Sequence, residues 1–327
     1  MHFAFTPEQH EFATGLRDML EREFPAARLR HVWESGTGHD PALWSRLAEM
    51  GVLSMMVAEA DGGLGGDFVD TVLLLEELGR AAAPGPVLET MTVGALALVG
   101  TPWAAGIVDG SGPVTAALLG ERYVPHAEVA HLLLTVWDRE VHAIEDPSLT
   151  DVAIEGIDGG RRLFTLASEV SKGTTLAVDP ELLIDAGALA SAAYLLGLSS
   201  RMLAIAGDYA CDRRQFGQPI GAFQAVKHLM ADALLRVEFA RPAIYRAAWS
   251  FTHDTPDRSR DVSMAKALSS DAALKAARSA LQVHGAIGYT WECDLQLFMK
   301  KAWALAPAWG TAQHHRRRVA DAVLGPR

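Results

Sequence analysis

The sequence predicts a mainly α-helical protein with one small β-domain in its middle. Three observations carry this reading. Capped helix starts stand near the beginning of the chain, short apolar runs divided by Gly, Asp and Pro occupy the middle, and long Ala- and Leu-rich stretches with few breakers follow Asp179-Pro180. The expected order is an N-terminal helical domain over residues 1–112, a small middle β-domain over 113–180 and a C-terminal four-helix bundle over 181–327.

Thr6 suits an N-cap, with Pro7 at the first helical position and Gln9 at the third, a capping-box start. Asp40-Pro41 opens another helix, with Trp44, Leu47 and Leu53 after it. Asp61-Gly62-Gly63-Leu64-Gly65-Gly66 reads as a loop, and Val69 to Gly79 as a helix with Leu73, Leu74 and Leu78 on one side. That loop follows no strand pattern and does not fit GxGxxG, so a dinucleotide-binding turn is not expected. Ala83-Pro84-Gly85-Pro86 breaks the chain again.

Strands are expected at Val114–Leu119, His131–Val136, Val152–Ile154 and Arg162–Leu166. After Pro180, helices are expected at about 181–212, 222–252, 258–285 and 306–324, long enough to pack as a bundle or on another subunit.

The 327 residues are half hydrophobic and only 21% charged, which is a globular composition. A net charge of -11 argues against nucleic acid or an anionic membrane surface as the main partner. The start has no basic region followed by an apolar one, so no signal peptide is read there. The uncharged stretch Thr90–Val108 is interrupted by Gly94, Gly100 and Pro102, and Gly187–Ser200 is short and flanked by Asp185 and Arg201. A soluble, cytoplasmic chain is therefore expected. Cys211 and Cys293 fall in apolar segments and read as buried free thiols.

Two clusters carry the chemistry. Arg213-Arg214-Gln215-Phe216-Gly217-Gln218-Pro219-Ile220-Gly221-Ala222-Phe223-Gln224 combines a fixed cation, two rings and an amide between two long helices. About sixty residues on stands Gln282-Val283-His284-Gly285-Ala286-Ile287-Gly288-Tyr289. Together they resemble the flavin-binding signature of the acyl-CoA dehydrogenase family, Arg-x-x-Phe-Gly-x-x-Ile-x-x-Phe-Gln followed by Gln-x-x-Gly-Gly-x-Gly-Tyr. The resemblance spans the chain, including Leu43-Trp44 through Gly51 and Glu59-x-x-Gly62-Gly63-x-Gly65, and it is most specific in the C-terminal third.

The resemblance implies FAD as cofactor and an acyl-CoA thioester as substrate. A pyrophosphate wants a guanidinium that stays ionised, and the family places the arginine matching Arg213 on the FAD of a neighbouring subunit. Phe216 and Phe223 would wall the cofactor, Gln224 and Gln282 would supply amides, and Gly285 would allow close backbone approach. Thr311 and Gln313 match positions that touch FAD within one subunit. Ala286 stands where the family has a second glycine.

The reaction removes a proton α to the thioester while a hydride leaves the β carbon, so it needs a carboxylate in a water-poor pocket. The family's glutamate usually precedes Gly-Thr near the C-terminus, where this chain has Trp309-Gly310-Thr311. Indole only donates. An alternative family position for the base falls at Gly187. Asp185, two residues before it, lies about 200° round the helix. Ala188 replaces an arginine expected to touch CoA. The family's Thr-Glu-Pro-x-x-Gly-Ser-Asp loop and Trp-x-Thr contact find no counterpart between Pro113 and Val178. In the middle region Trp137-Asp138-Arg139 has the tryptophan without the threonine.

No catalytic residue is therefore assigned. The pattern resembles the shorter, base-lacking subunit of the heteromeric α2β2 acyl-CoA dehydrogenases of actinobacterial steroid side-chain degradation. It implies a second, longer subunit that carries the glutamate. Two alternatives stay open: a homotetramer using Asp185 or Glu181 as base, and a silent scaffold or acyl-CoA-binding protein. His314-His315-Arg316-Arg317-Arg318 reads as a solvated or interface face with no metal. Lys227 and His228 read as surface residues, and Glu292 as a structural ion pair.

Overall fold

A computed structural model describes residues 4–120, 123–147, 153–165 and 173–325. The N-terminal part is helical, with α1 (Pro7–Glu23), α2 (Ala26–Ser35), α3 (Pro41–Glu49) and α4 (Phe68–Arg80). The caps form as the sequence reads. The Thr6 hydroxyl accepts from the Gln9 amide at 3.3 Å, the Gln9 side chain accepts from the Thr6 amide at 2.8 Å, and Asp40 accepts from the Leu43 amide at 2.9 Å. The interrupted uncharged stretch is a single π-helical turn, Glu89–Gly94, running into α5 (Ala95–Ala97), with α6 (Ala104–Asp109) after it. Such turns often sit beside functional sites.

The middle is a small sheet. Its strands are β1 (Val114–Ala117), β2 (Val124–Pro125), β3 (Leu132–Trp137), β4 (Glu140–Glu145), β5 (Leu163–Phe164) and β6 (Thr174–Leu176). Four pair in the order β1-β3-β4-β6, with β1 and β3 parallel and the others antiparallel, while β2 pairs with β5. The expected strands at 114 and 131 are β1 and β3. The one at 162 shrinks to β5, with Leu166 outside the described residues. At the expected strand 152–154, Val152 lies outside the described residues and Ile154 makes an isolated bridge to Leu163. Sequence patterning misses β4 because glutamates bound it and His142 sits buried within it. Its turn also lacks an Asn-Gly signal: Asp138 and Arg139 take φ of 51° and 67°, the two positive angles of a tight hairpin.

The chain then returns to helices: α7 (Pro180–Asp212), the hairpin strands β7 (Arg214–Gln215) and β8 (Gln218–Pro219), α8 (Gln224–Thr252), α9 (Arg258–His284), α10 (Leu295–Leu305) and α11 (Ala312–Leu324). The helix expected over 306–324 is therefore α11 alone, and α10 was not anticipated. The break between them falls where Trp309 and Gly310 adopt φ of 58° and 93°, which no helix continues through.

α7 is buried along nearly all of its faces, from Leu183 to Met202, and packs against α4, α8, α9 and α10. It is long and apolar enough to cross a membrane, but 94% of its most apolar window is buried inside the protein. Contact with α4 depends on two glycines. A Cβ on Gly79 would come within 2.8 Å of the Tyr194 carbonyl carbon, and one on Gly197 within 2.7 Å of the Arg80 nitrogen. Side chains there would push the helices apart. α7 runs out of the bundle over its last turn, so Cys211 is exposed rather than buried; Cys293 is half-buried.

Candidate functional site

The end of α7 presents an outward shelf. Arg213 leaves the helix in an extended conformation, its amide donating to the Tyr209 carbonyl at 2.9 Å. The following hairpin turns through Phe216 and Gly217, whose φ angles are 50° and 82°. A bulky ring with positive φ is costly, and this one is 93% exposed. Phe223 meets it edge to face at 6.2 Å. Every residue from Cys211 to Gln218 is exposed, and so is Gln224. The first turn of α8 has no side-chain cap, which leaves amides facing outward beside these groups.

Gln282, Gly285 and Tyr289 are also exposed, Tyr289 by 70%. The helices that lead to the two clusters meet nearby, where the rings of Tyr209 and His284 stack at 4.3 Å. These residues lie four before Arg213 and two after Gln282. A Cβ on Gly285 would meet nothing within 4 Å in this chain, so its φ of 64° is what calls for glycine here. Among the described residues, the Arg213 guanidinium has no hydrogen bond or carboxylate partner.

Thr311 and Gln313 lie elsewhere, at the start of α11. The Thr311 hydroxyl caps that helix, accepting from the His314 amide at 3.2 Å, and Gln313 is exposed. Neither touches the Arg213 cluster by any hydrogen bond or ring contact among the described residues.

The interior beside α11 is filled. Trp309 is 6% exposed, and its ring lies over Gly187. The turn that holds it is tied from behind. His315 meets the Trp309 carbonyl at 2.8 Å through Nε2, and the Lys266 ammonium donates to the Ala306 carbonyl at 2.8 Å. Burial brings Lys266 down to about 7 and His315 down to about 4.

Glu89, 4% exposed on the π-helical turn, also faces Trp309. Burial above all raises its carboxyl, while Arg161, its backbone, Lys301 and the indole N–H of Trp309 pull the other way. His126 beside it is held well below its usual value, by burial first and then by Lys301 and Arg161. Lys301 pairs with buried Asp158 at 3.5 Å, and the Tyr194 hydroxyl donates to the Ala83 carbonyl at 2.7 Å. Two cavities remain among these groups, of about 20 and 80 Å³. They suit a few waters, whereas ligand pockets run to roughly 300–1,000 Å³.

Asp185 is fully buried, at 3.0 Å from Arg318, 3.4 Å from Arg258 and 2.5 Å from the Ser259 hydroxyl. A carboxylate so engaged is a structural anion. Glu181 is an exposed partner of Arg318 at 3.1 Å. Of the expected solvated or interface face at 314–318, His314, Arg316 and Arg317 are exposed, whereas His315 is fully buried and Arg318 bridges these two acids. Glu292 makes no ion pair among the described residues. It is exposed, and its carboxyl is lowered first by its own backbone amide and then by Thr290. Lys227 and His228 are exposed, as expected.

Sequence reading missed Glu89, His126, Asp158, Arg161 and Lys301, which come from four separate stretches of the chain with no shared motif. The one usable signal was a glutamate bordering the uncharged stretch at Thr90.

Residues 6–104 match the model of the acyl-CoA dehydrogenase N-terminal domain, and residues 178–324 match that of the C-terminal domain. The chain belongs to the acyl-CoA dehydrogenase family. It is 33% identical over 317 residues to the acyl-CoA dehydrogenase IpdE2 of Mycolicibacterium smegmatis, covering 94% of this chain and 96% of that one. It is also 33% identical over 324 residues to IpdE2 of Mycobacterium tuberculosis, covering 97% and 98%. Its fold matches the Tcur3481–Tcur3483 steroid acyl-CoA dehydrogenase at a TM-score of 0.87 with 25% identity, covering 97% of this chain and 98% of that one. The ChsE4–ChsE5 complex from Mycobacterium tuberculosis matches at 0.86 with 22% identity over the whole of both chains.

Acyl-CoA dehydrogenases are oxidoreductases acting on acyl-CoA, and members of the family are FAD-dependent. The shelf fits part of such a cofactor, with a guanidinium that has no partner among the described residues, an outward ring and exposed amides. The filled interior does not fit its reacting ring.

Proposed function

We propose that this chain is the base-lacking subunit of a heteromeric acyl-CoA dehydrogenase that desaturates an acyl-CoA, of steroid side-chain type. A longer partner subunit would carry the glutamate. One observation carries the reading: Trp309 covers Gly187, so the two places where the family puts its base are occupied by each other. Support for two chains and a steroid substrate comes from Tcur3481–Tcur3483, whose name gives both.

In this arrangement Arg213 would hold the pyrophosphate or adenosine side of FAD across the subunit boundary, with Gln224 and Gln282 as hydrogen-bonding amides. Phe216 and Phe223 would exclude water and limit tilting. FAD would supply the acceptor for the hydride leaving the β carbon. Thr311 and Gln313 match positions for FAD held within this subunit, and the filled interior next to them argues that this second position goes unused. Glu89 has the raised carboxyl of a base but no room beside it for a thioester.

The test is expression of the chain alone and together with a longer acyl-CoA dehydrogenase subunit, reading flavin absorbance and turnover. Yellow, active protein only on co-expression supports the proposal. A yellow and active single chain overturns it in favour of a self-sufficient enzyme, and colourless, inactive protein in both cases in favour of a silent scaffold.

A further inference from the structure

A separate cavity of about 370 Å³ opens between α1, the start of α2, the end of α4, α7 and α10. It shares no residue with the Trp309 interior or the Arg213 shelf. Three arginines line it: Arg17, Arg80 and Arg201. Arg17 is committed to Glu77 through two hydrogen bonds of 2.8 and 2.5 Å. Arg80 and Arg201 are half-buried and, among the described residues, neither has a hydrogen bond or a carboxylate partner. Arg201 lies 5.7 Å from the centre of the Phe298 ring, a contact that orients the guanidinium without using its N–H donors.

The lining acids are Glu77, already paired, and Glu21, exposed on the rim. Three arginines against two glutamates leave one positive charge in excess. Two half-buried guanidiniums around one cavity repel each other and leave donors unmatched, and one oxyanion relieves both costs. Leu20, Phe24 and Phe298 give the same cavity an apolar wall. Its volume lies in the range of small-ligand pockets.

We infer that this cavity binds an oxyanion, carboxylate or phosphate, that carries a small apolar body. Arg80 and Arg201 take the head, and the wall of Leu20, Phe24 and Phe298 takes the body.

Calorimetric titration of the full chain with benzoate, inorganic phosphate and benzyl alcohol tests this. Saturable one-to-one binding of either anion is expected, with benzyl alcohol at least tenfold weaker than benzoate. Benzoate stronger than phosphate marks a carboxylate ligand with an apolar body; phosphate equal or stronger marks a phosphate ligand. Arg80→Gln and Arg201→Gln, on different helices, should each weaken the anion at least tenfold. If one variant fails to fold the other decides, and the comparison with benzyl alcohol needs neither. Absence of saturable anion binding, benzyl alcohol equal to benzoate, or full affinity in a folded variant overturns the assignment.

Discussion

The ring of Trp309 lies so close over Gly187 that a Cβ on that glycine would fall within 2.5 Å of Cδ2 and Cζ3. Each residue leaves space only for the other. Gly187→Ala should therefore overpack the interior and cost about 1–3 kcal/mol. Trp309→Ala alone should cost about 3–5 kcal/mol through the void it leaves. The double variant should cost less than the sum, because the lost ring makes room for the new methyl. Denaturant midpoints of the three variants check this. Trp309→Glu should give no activity to the chain on its own, measured with an acyl-CoA and an artificial electron acceptor.

Arg213→Ala should strip FAD from the assembled complex and leave the assembly intact. Loss of one charge-assisted pair is worth roughly 1.5–3 kcal/mol, or about ten- to a hundredfold in FAD affinity. Flavin content after gel filtration reads both properties at once.

Glu89→Gln separates a structural carboxyl from a base. Its amide keeps the shape and still accepts from the Trp309 indole. Turnover of the complex should change by less than about threefold, whereas loss of a general base costs 10²–10⁴. A drop of that larger size would place the base in this chain.

Stability should rise with pH above neutral. Lys266 sits near 7 in the folded chain against 10.5 when unperturbed, so between those values the unfolded chain binds more protons and folding gains as they are removed. The slope approaches about 1.4 kcal/mol per pH unit in mid-window. His315, lowered from 6.5 to about 4, adds a rise of the same sign in the acid range. Lys266→Met should flatten the upper rise and leave the lower one, as read from thermal midpoints against pH.

Much of the fold was legible because local chemistry decides it. The Thr6 and Asp40 caps, the Gly- and Pro-rich breaks and the long apolar helices are written in neighbouring residues. β4 and α10 were not legible. β4 has polar ends and is held by partners on both sides, and α10 is a short helix set off from α11 by the Ala306–Thr311 break, where Trp309 and Gly310 both take positive φ. The Arg213 and Gln282 clusters were legible as contiguous motifs, and the stacked pair Tyr209–His284 lies where the helices leading to them meet. Substitution of the base was also visible at Trp309. The group of Glu89, Asp158, Arg161 and Lys301 exists only after folding, so no spacing could announce it.

The most direct test counts the flavins that acyl-CoA can reduce. Anaerobic titration of the isolated chain and of its complex with a longer subunit, followed by bleaching of the flavin band, gives that count. Bleaching confined to the complex, and abolished when the longer subunit loses its glutamate, is the predicted result. Bleaching by the isolated chain, or by a complex lacking that glutamate, would contradict it.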